Sequence, residues 1–164
     1  MSASANQMSS SSMPQGTSPW NNSKYGARVF FDYESDSLPV APNGIAPGVS
    51  VQESFNIAGD SDFFWTKFAA TALGTPANAA TYTFAPAVSI LITNTTTGRQ
   101  YSSSSVPLPN LAGNGQFPFI LPQITWWQAK STIQIQLQNL SADVTYSNIL
   151  LTFHGVKAFP MGAT

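Results

Sequence analysis

From about residue 25 onward, hydrophobic residues recur at every second position rather than every third or fourth. The clearest case is residues 132–138, where Ile133, Ile135 and Leu137 alternate with Gln134, Gln136 and Gln138. Successive side chains of a strand point to opposite faces, so this pattern gives one apolar and one polar face. Residues 146–156 repeat it, with Ile149, Leu151 and Phe153 on one face and His154 on the other. Residues 51–57 alternate through Val51, Glu53, Phe55 and Ile57, and residues 87–93 place Val88, Ile90 and Ile92 together. Two aromatic runs, residues 27–33 around Val29, Phe30 and Phe31 and residues 62–70 around Phe63, Phe64, Trp65 and Phe68, predict strands by composition. Pro39, Pro42, Gly44 and Pro47 break the chain between the first two strands. No stretch of a dozen residues has a helical period, and residues 78–81 are expected to make one helical turn at most. Short strands separated by Pro, Gly and Asn loops predict an all-β domain over residues 25–164, an antiparallel β-sandwich or jelly roll. Its core is expected to hold Ile133, Ile135, Leu137, Ile149, Leu151 and Phe153.

Residues 1–24 read differently. This segment is rich in Ser and Asn and has a single aromatic residue, Trp20. Alone it cannot bury enough apolar surface to offset the entropy of ordering it. It is therefore expected to act as an extended arm that takes its order from a partner chain, with Trp20 as its most buried residue. Twenty-three extended residues reach roughly 75 Å, enough to cross to a neighbouring subunit.

Charge changes the picture. Only 8% of the 164 residues are charged, six basic and seven acidic, while the apolar fraction is an ordinary 43%. An average soluble domain carries roughly 25% charged residues. Here Ser, Thr, Asn, Gln, Gly and Pro take their place, and an uncharged polar surface is easily desolvated against a neighbour. The cations Lys24, Arg28, Lys67, Arg99, Lys130 and Lys157 are scattered, which argues against nucleic-acid binding. The absence of cysteine excludes disulfides, thiolate nucleophiles and zinc-thiolate sites. No apolar run is long enough for a membrane helix, and residues 1–15 lack the features of a signal peptide, so the chain is expected to be soluble and made in a cytosol. The sequons at Asn21, Asn94 and Asn139 then read as Asn-rich loops.

Candidate chemistry is sparse. Gly59-Asp60-Ser61 matches the start of a GDS-type hydrolase, but the sole histidine, His154, lacks the acid three residues before it, where Leu151 stands. Asp32, Glu34 and Asp36 share one face of a strand end, and Asp60 with Asp62 forms a D-x-D pair. Neither has the glycine and distal Glu of a calcium loop; the first reads as a solvated strand face, and neither cluster is expected to bind metal or catalyse. A lone imidazole makes no metal site from this chain, so His154 reads as a group that hydrogen-bonds locally or at a subunit contact. No catalytic residue, cofactor or metal site is expected. Trp126 and Trp127 are adjacent, so on a strand one enters the core while the other faces outward as a partner anchor or sugar platform. Met13, Trp20, Tyr25, Trp126 and Trp127 are the expected partner contacts.

The runs D-S-D-F-F-W-T-K-F (residues 60–68), I-T-N-T-T-T-G-R-Q (92–100), G-Q-F-P-F-I-L-P (115–122), K-S-T-I-Q-I-Q-L-Q-N (130–139) and Y-S-N-I-L-L-T-F-H-G-V-K-A-F (146–159) occur in this order. Together they resemble small tailed-phage virion proteins of the capsid cement or decoration type. The resemblance covers residues 50–160 and leaves the arm outside. It implies a jelly roll without catalytic residues, bound to the major capsid protein on the outer shell as a dimer or trimer. A tail or head-tail adaptor module and a carbohydrate-binding sandwich are the alternative expectations.

Overall fold

The computed structural model describes residues 24–35, 44–75, 81–83 and 85–162. The arm up to residue 23, with Met13, Trp20 and Asn21, lies outside them, as do Asp36 and nearly all of the expected helical turn at 78–81. The strands are β1 (Tyr25–Glu34), β2 (Ser50–Asn56), β3 (Asp62–Thr75), β4 (Thr81–Thr83), β5 (Val88–Asn94), β6 (Arg99–Gln100), β7 (Val106–Pro107), β8 (Phe119–Trp127), β9 (Thr132–Asn139) and β10 (Thr145–Pro160). One helical turn, α1 (Leu108–Leu111), separates β7 from β8. Sheet I runs β1-β10-β3, with β4 and β8 sharing the far side of β3; sheet II runs β2-β9-β5, with β6 and β7 on the far side of β5. Every strand pairing is antiparallel. The fold is an antiparallel β-sandwich.

The alternation sets the core. Ile133, Ile135 and Leu137 of β9 and Ile149, Leu151 and Phe153 of β10 are all fully buried in one cluster between the sheets. Each such side chain contributes about 1.5–3 kcal/mol by leaving water. The Gln face of β9 looks outward. The strand itself is central, paired with β2 on one side and β5 on the other, so it offers no free edge. The core's centre is aromatic: Trp65 stacks on Trp127 with centroids 5.1 Å apart, and Phe68 stacks on Phe153 at 4.7 Å.

A bulge explains why residues 62–70 are apolar in both phases. Across from β10, Lys67 pairs with His154 but Trp65 pairs with Gly155, so Thr66 is the extra residue. Phe63 and Trp65 point inward before it, and Phe68, Ala70 and Ala72 do so after it. Thr66 Oγ1 donates to the His154 carbonyl at 3.1 Å and closes the bulge. Gly155 has to be glycine there, because a Cβ would run into the Phe64 carbonyl and the Phe63 ring.

Candidate interaction surface

The register of sheet I builds its outer face in rows. One row crosses four strands as Phe30, Val156, Phe64 and Trp126. The next reads Asp32, His154, Lys67 and Ile120. In the first row Val156 and Phe64 are buried with Tyr25 and Ala158 in a small outer cluster against Ile124. The ends of the rows are open: Phe30 is 89% exposed, Ile120 70% and Trp126 49%. Phe117, on the loop before β8, is as exposed as Ile120. That loop brings Gly115 and Pro118 beside Lys67 and His154, enclosing a shallow cleft of about 270 Å³ with Phe30 on its rim. These large exposed apolar side chains make the outer face of sheet I the candidate interaction surface among the described residues.

One end of this face is fastened by a carboxylate. Asp62 is nearly buried, and its Oδ2 accepts hydrogen bonds from Tyr25 Oη at 2.6 Å and Lys24 Nζ at 3.1 Å. Its Oδ1 accepts the Ala129 amide at 2.8 Å. Burial alone would push the carboxyl up, but the donors from Tyr25, Ala129, Lys24 and Trp126 outweigh it and hold Asp62 below the usual carboxylate range. The same hydrogen bond raises Lys24, while burial first and then the Asp62 contact push the Tyr25 hydroxyl up. A depressed carboxylate contributes stability that is present above its unfolded value of about 4 and is lost as pH falls through the lower folded value. Asp62→Asn should therefore cost about 2 kcal/mol at neutral pH and flatten the acid limb of the stability curve. Urea unfolding of both proteins between pH 2 and 7 checks this; parallel curves would show that the carboxylate is not the titrating group.

His154 lies on the outer face, opposite Phe153. Its Nδ1 sits 2.8 Å from Asp32 Oδ1, while its Nε2 is shielded from solvent and meets no protein partner among the described residues. This is the local hydrogen-bonding role expected of a lone imidazole, with the acid supplied across the β1–β10 pair. Asp60 and Asp62 diverge: Asp62 is buried as described, and Asp60 lies exposed in the turn between β2 and β3. Ser61 is buried and donates to Asp60 Oδ1 at 2.9 Å, which is turn chemistry. Among the described residues no group of three His, Asp or Glu side chains could hold a metal ion.

The structure divides the expected contact residues. Trp126 faces outward and Trp127 is fully buried, its Nε1 donating to Tyr101 Oη at 2.6 Å. Trp127 is thus a core residue, because alternation on β8 turns it toward Trp65. Tyr25 is also buried, packed edge-on to Phe64 at 5.6 Å, and holds the outer cluster rather than presenting a free ring. Sequence reasoning missed Ile120 and the Lys24–Tyr25–Asp62 contact, which depend on the register of strands distant in the chain. Asn94 and Asn139 are buried with their side chains engaged, so neither sequon is accessible in the folded domain. A family-model scan, a search of curated proteins and a search of solved structures each return no match.

Proposed function

We propose that this chain is a structural protein of a tailed-phage virion, a capsid cement or decoration protein built on the jelly-roll form of the sandwich. The strand order supports the jelly roll. Taking β1, β2, β3, β5, β7, β8, β9 and β10 in turn, the first pairs with the last, the second with the second-last, and so inward to β5 with β7. A paired ribbon wound in this way into two sheets is the double Greek key used by viral capsid and lectin domains. Fold alone does not assign function. The observation that carries the reading is the outer face of sheet I, where Phe30, Ile120 and Trp126 stand exposed on a chain with only 8% charged residues. The resemblance of residues 50–160 to decoration proteins supports the same reading.

On this reading the protein works by mass action without turnover. Each copy bound to the major capsid protein adds contact free energy to the closed shell that a ruptured shell lacks. Many weak contacts repeated by capsid symmetry, and tied by the arm of residues 1–24, gain through avidity. A near-neutral chain suits the capsid exterior, whereas a DNA-facing lining would favour Lys and Arg. Particles lacking the protein, or carrying it without residues 1–23, should release DNA at a lower temperature than complete particles. Equal heat resistance would sink the cement role. A low copy number in the virion would then favour the tail or head-tail adaptor. The carbohydrate-binding alternative draws on one feature, the half-exposed Trp126 beside Arg99, Tyr101 and Gln128 in a cleft of about 330 Å³. Glycan-array binding abolished by Trp126→Ala would support it.

A further inference from the structure

Strand β1 forms one edge of sheet I and pairs only with β10 among the described residues. Its inner face reaches the core at Tyr33, which stacks on Phe55 of β2 at 5.6 Å and accepts the Ala58 amide at 2.9 Å. Farther along the same face, Val29 is 51% exposed and Phe31 37%, and on the outer face Phe30 is almost fully exposed. Val29 and Phe30 thus stand open on opposite faces of an edge strand, while Phe31 is partly covered by Lys157, its Nζ 3.9 Å from the ring centroid, and by Tyr33. Proteins normally blunt such an edge with charge, proline or a covering element, because it templates pairing with another chain.

The sequence of this edge is self-complementary. Arg28 and Asp32 flank Phe30 symmetrically on the outer face, and Val29 and Phe31 flank it on the inner face. We propose that β1 pairs antiparallel with β1 of a second copy about a two-fold axis at Phe30, joining the two first sheets into one continuous sheet. In that register Arg28 lies opposite the second copy's Asp32, twice by symmetry. Phe30 meets its own counterpart, and Val29 faces Phe31. Directly opposed residues of an antiparallel pair share a face, so the charges meet on the outer face and the Val29–Phe31 pairs lie on the inner one. A slip of two residues in either direction loses both Arg28–Asp32 pairs, setting Phe30 opposite Asp32 one way and opposite Arg28 the other. The register is therefore chosen by charge as well as by apolar contact. An isologous pairing of this kind closes on itself and ends the edge, which an open repeat would not do. Asp32 also holds His154, so the dimer places that histidine beside its boundary.

The inference concerns the isolated protein and does not rest on the capsid reading. Sedimentation of the full chain at tens of micromolar should give a dimer. Phe30→Asp puts two carboxylates face to face across the axis and should weaken dimerisation by roughly 100-fold without altering the fold, since the residue is exposed. Arg28→Asp should weaken it as well, and the swapped pair Arg28→Asp with Asp32→Arg should restore it. Because the chain has no cysteine, Phe30→Cys introduces a single thiol per copy that dissolved oxygen, as the two-electron oxidant, should couple to a disulfide-linked dimer, while Val49→Cys, exposed away from β1, should not couple. A wild-type monomer overturns the proposal, as does a dimer indifferent to Phe30→Asp. A monomer that dimerises only when residues 1–23 are deleted overturns it too, and assigns the edge to the chain's own arm. A monomer that still protects particles from heat leaves the cement reading intact. A dimer that does not protect them overturns that reading alone.

Discussion

Replacing Phe153 by alanine is expected to cost about 3–5 kcal/mol, a large share of the 5–15 kcal/mol that holds a domain of this size together. The residue sits on β10, the central strand of sheet I, and its ring is where the two sheets meet. Phe68 stacks on it at 4.7 Å, Trp65 stands edge-on at 5.2 Å, Phe55 of sheet II lies at 5.4 Å and Trp127 at 5.5 Å. These neighbours are themselves large and held by their own strands, so they cannot collapse into the space vacated. The lost transfer energy is then joined by the cost of a cavity. Phe30→Ala, on the same sheet but facing out, should change the stability of the monomeric domain by no more than about half a kcal/mol. Chemical denaturation at a concentration below any association compares the two. A loss under about 1 kcal/mol for Phe153→Ala would mean that the aromatic cluster is not the load shared by both sheets.

That contrast between two phenylalanines shows what was legible in the chain. Period-two alternation placed β2, β5, β9 and β10 and the six aliphatic and aromatic core residues of β9 and β10, because a half-buried strand has to alternate. It placed β1 and β3 by composition without giving their faces. In β3 the Thr66 bulge reverses the phase, so Phe63, Trp65 and Phe68 all point inward, and a bulge leaves no local sign beyond apolar residues that fall on both phases. Strand β8 escaped detection: Phe119–Trp127 does not alternate and contains Pro122, which has no N–H and is tolerated in an edge strand at a position that need not donate to the partner. Between Thr125 and Ile120 the pairing with β3 is interrupted, and Pro122 lies in that gap.

The candidate surface was harder to read for the same reason. Trp126 was legible as one of two adjacent tryptophans that must part company on a strand, but which of them faced outward depended on the register of β8 against β3. The row from Phe30 to Trp126 joins residues 96 positions apart in the chain and exists only once β10 and β3 have paired between them. His154 was placed opposite Phe153 by alternation, yet its partner Asp32 lies 122 residues away. Low charge, by contrast, is a property of the whole chain and needs no register to be read. The structure adds where large apolar side chains stand exposed on sheet I: Phe30 at the β1 edge and Ile120 and Trp126 on β8.

The second large effect is expected at the opposite kind of residue, a buried polar one. Asn139 ends β9 with its side chain fully enclosed, and all of its hydrogen-bonding capacity is used. Its Nδ2 donates to the carbonyls of Ile45 at 2.8 Å and Val144 at 2.7 Å, and its Oδ1 accepts the Ser141 amide at 2.9 Å and hydroxyl at 2.8 Å. Three segments are thereby clamped at one end of the sandwich: the approach to β2, the β9–β10 turn and the start of β10. Ile45, fully buried, exchanges backbone hydrogen bonds with Tyr146, whose hydroxyl in turn accepts the Ala87 amide at 2.8 Å. Asn139→Ala removes four hydrogen bonds and strands the Ser141 amide, for an expected loss of about 2–4 kcal/mol. Asn139→Asp is nearly isosteric but turns a carboxylate toward two carbonyl oxygens, so it should be worse at pH 7 than the alanine variant, and the gap should narrow as the acid is protonated. Thermal unfolding of both variants at pH 7 and pH 4 tests this. If aspartate proves no worse than alanine at neutral pH, the amide donors are not what holds this end of the sandwich closed.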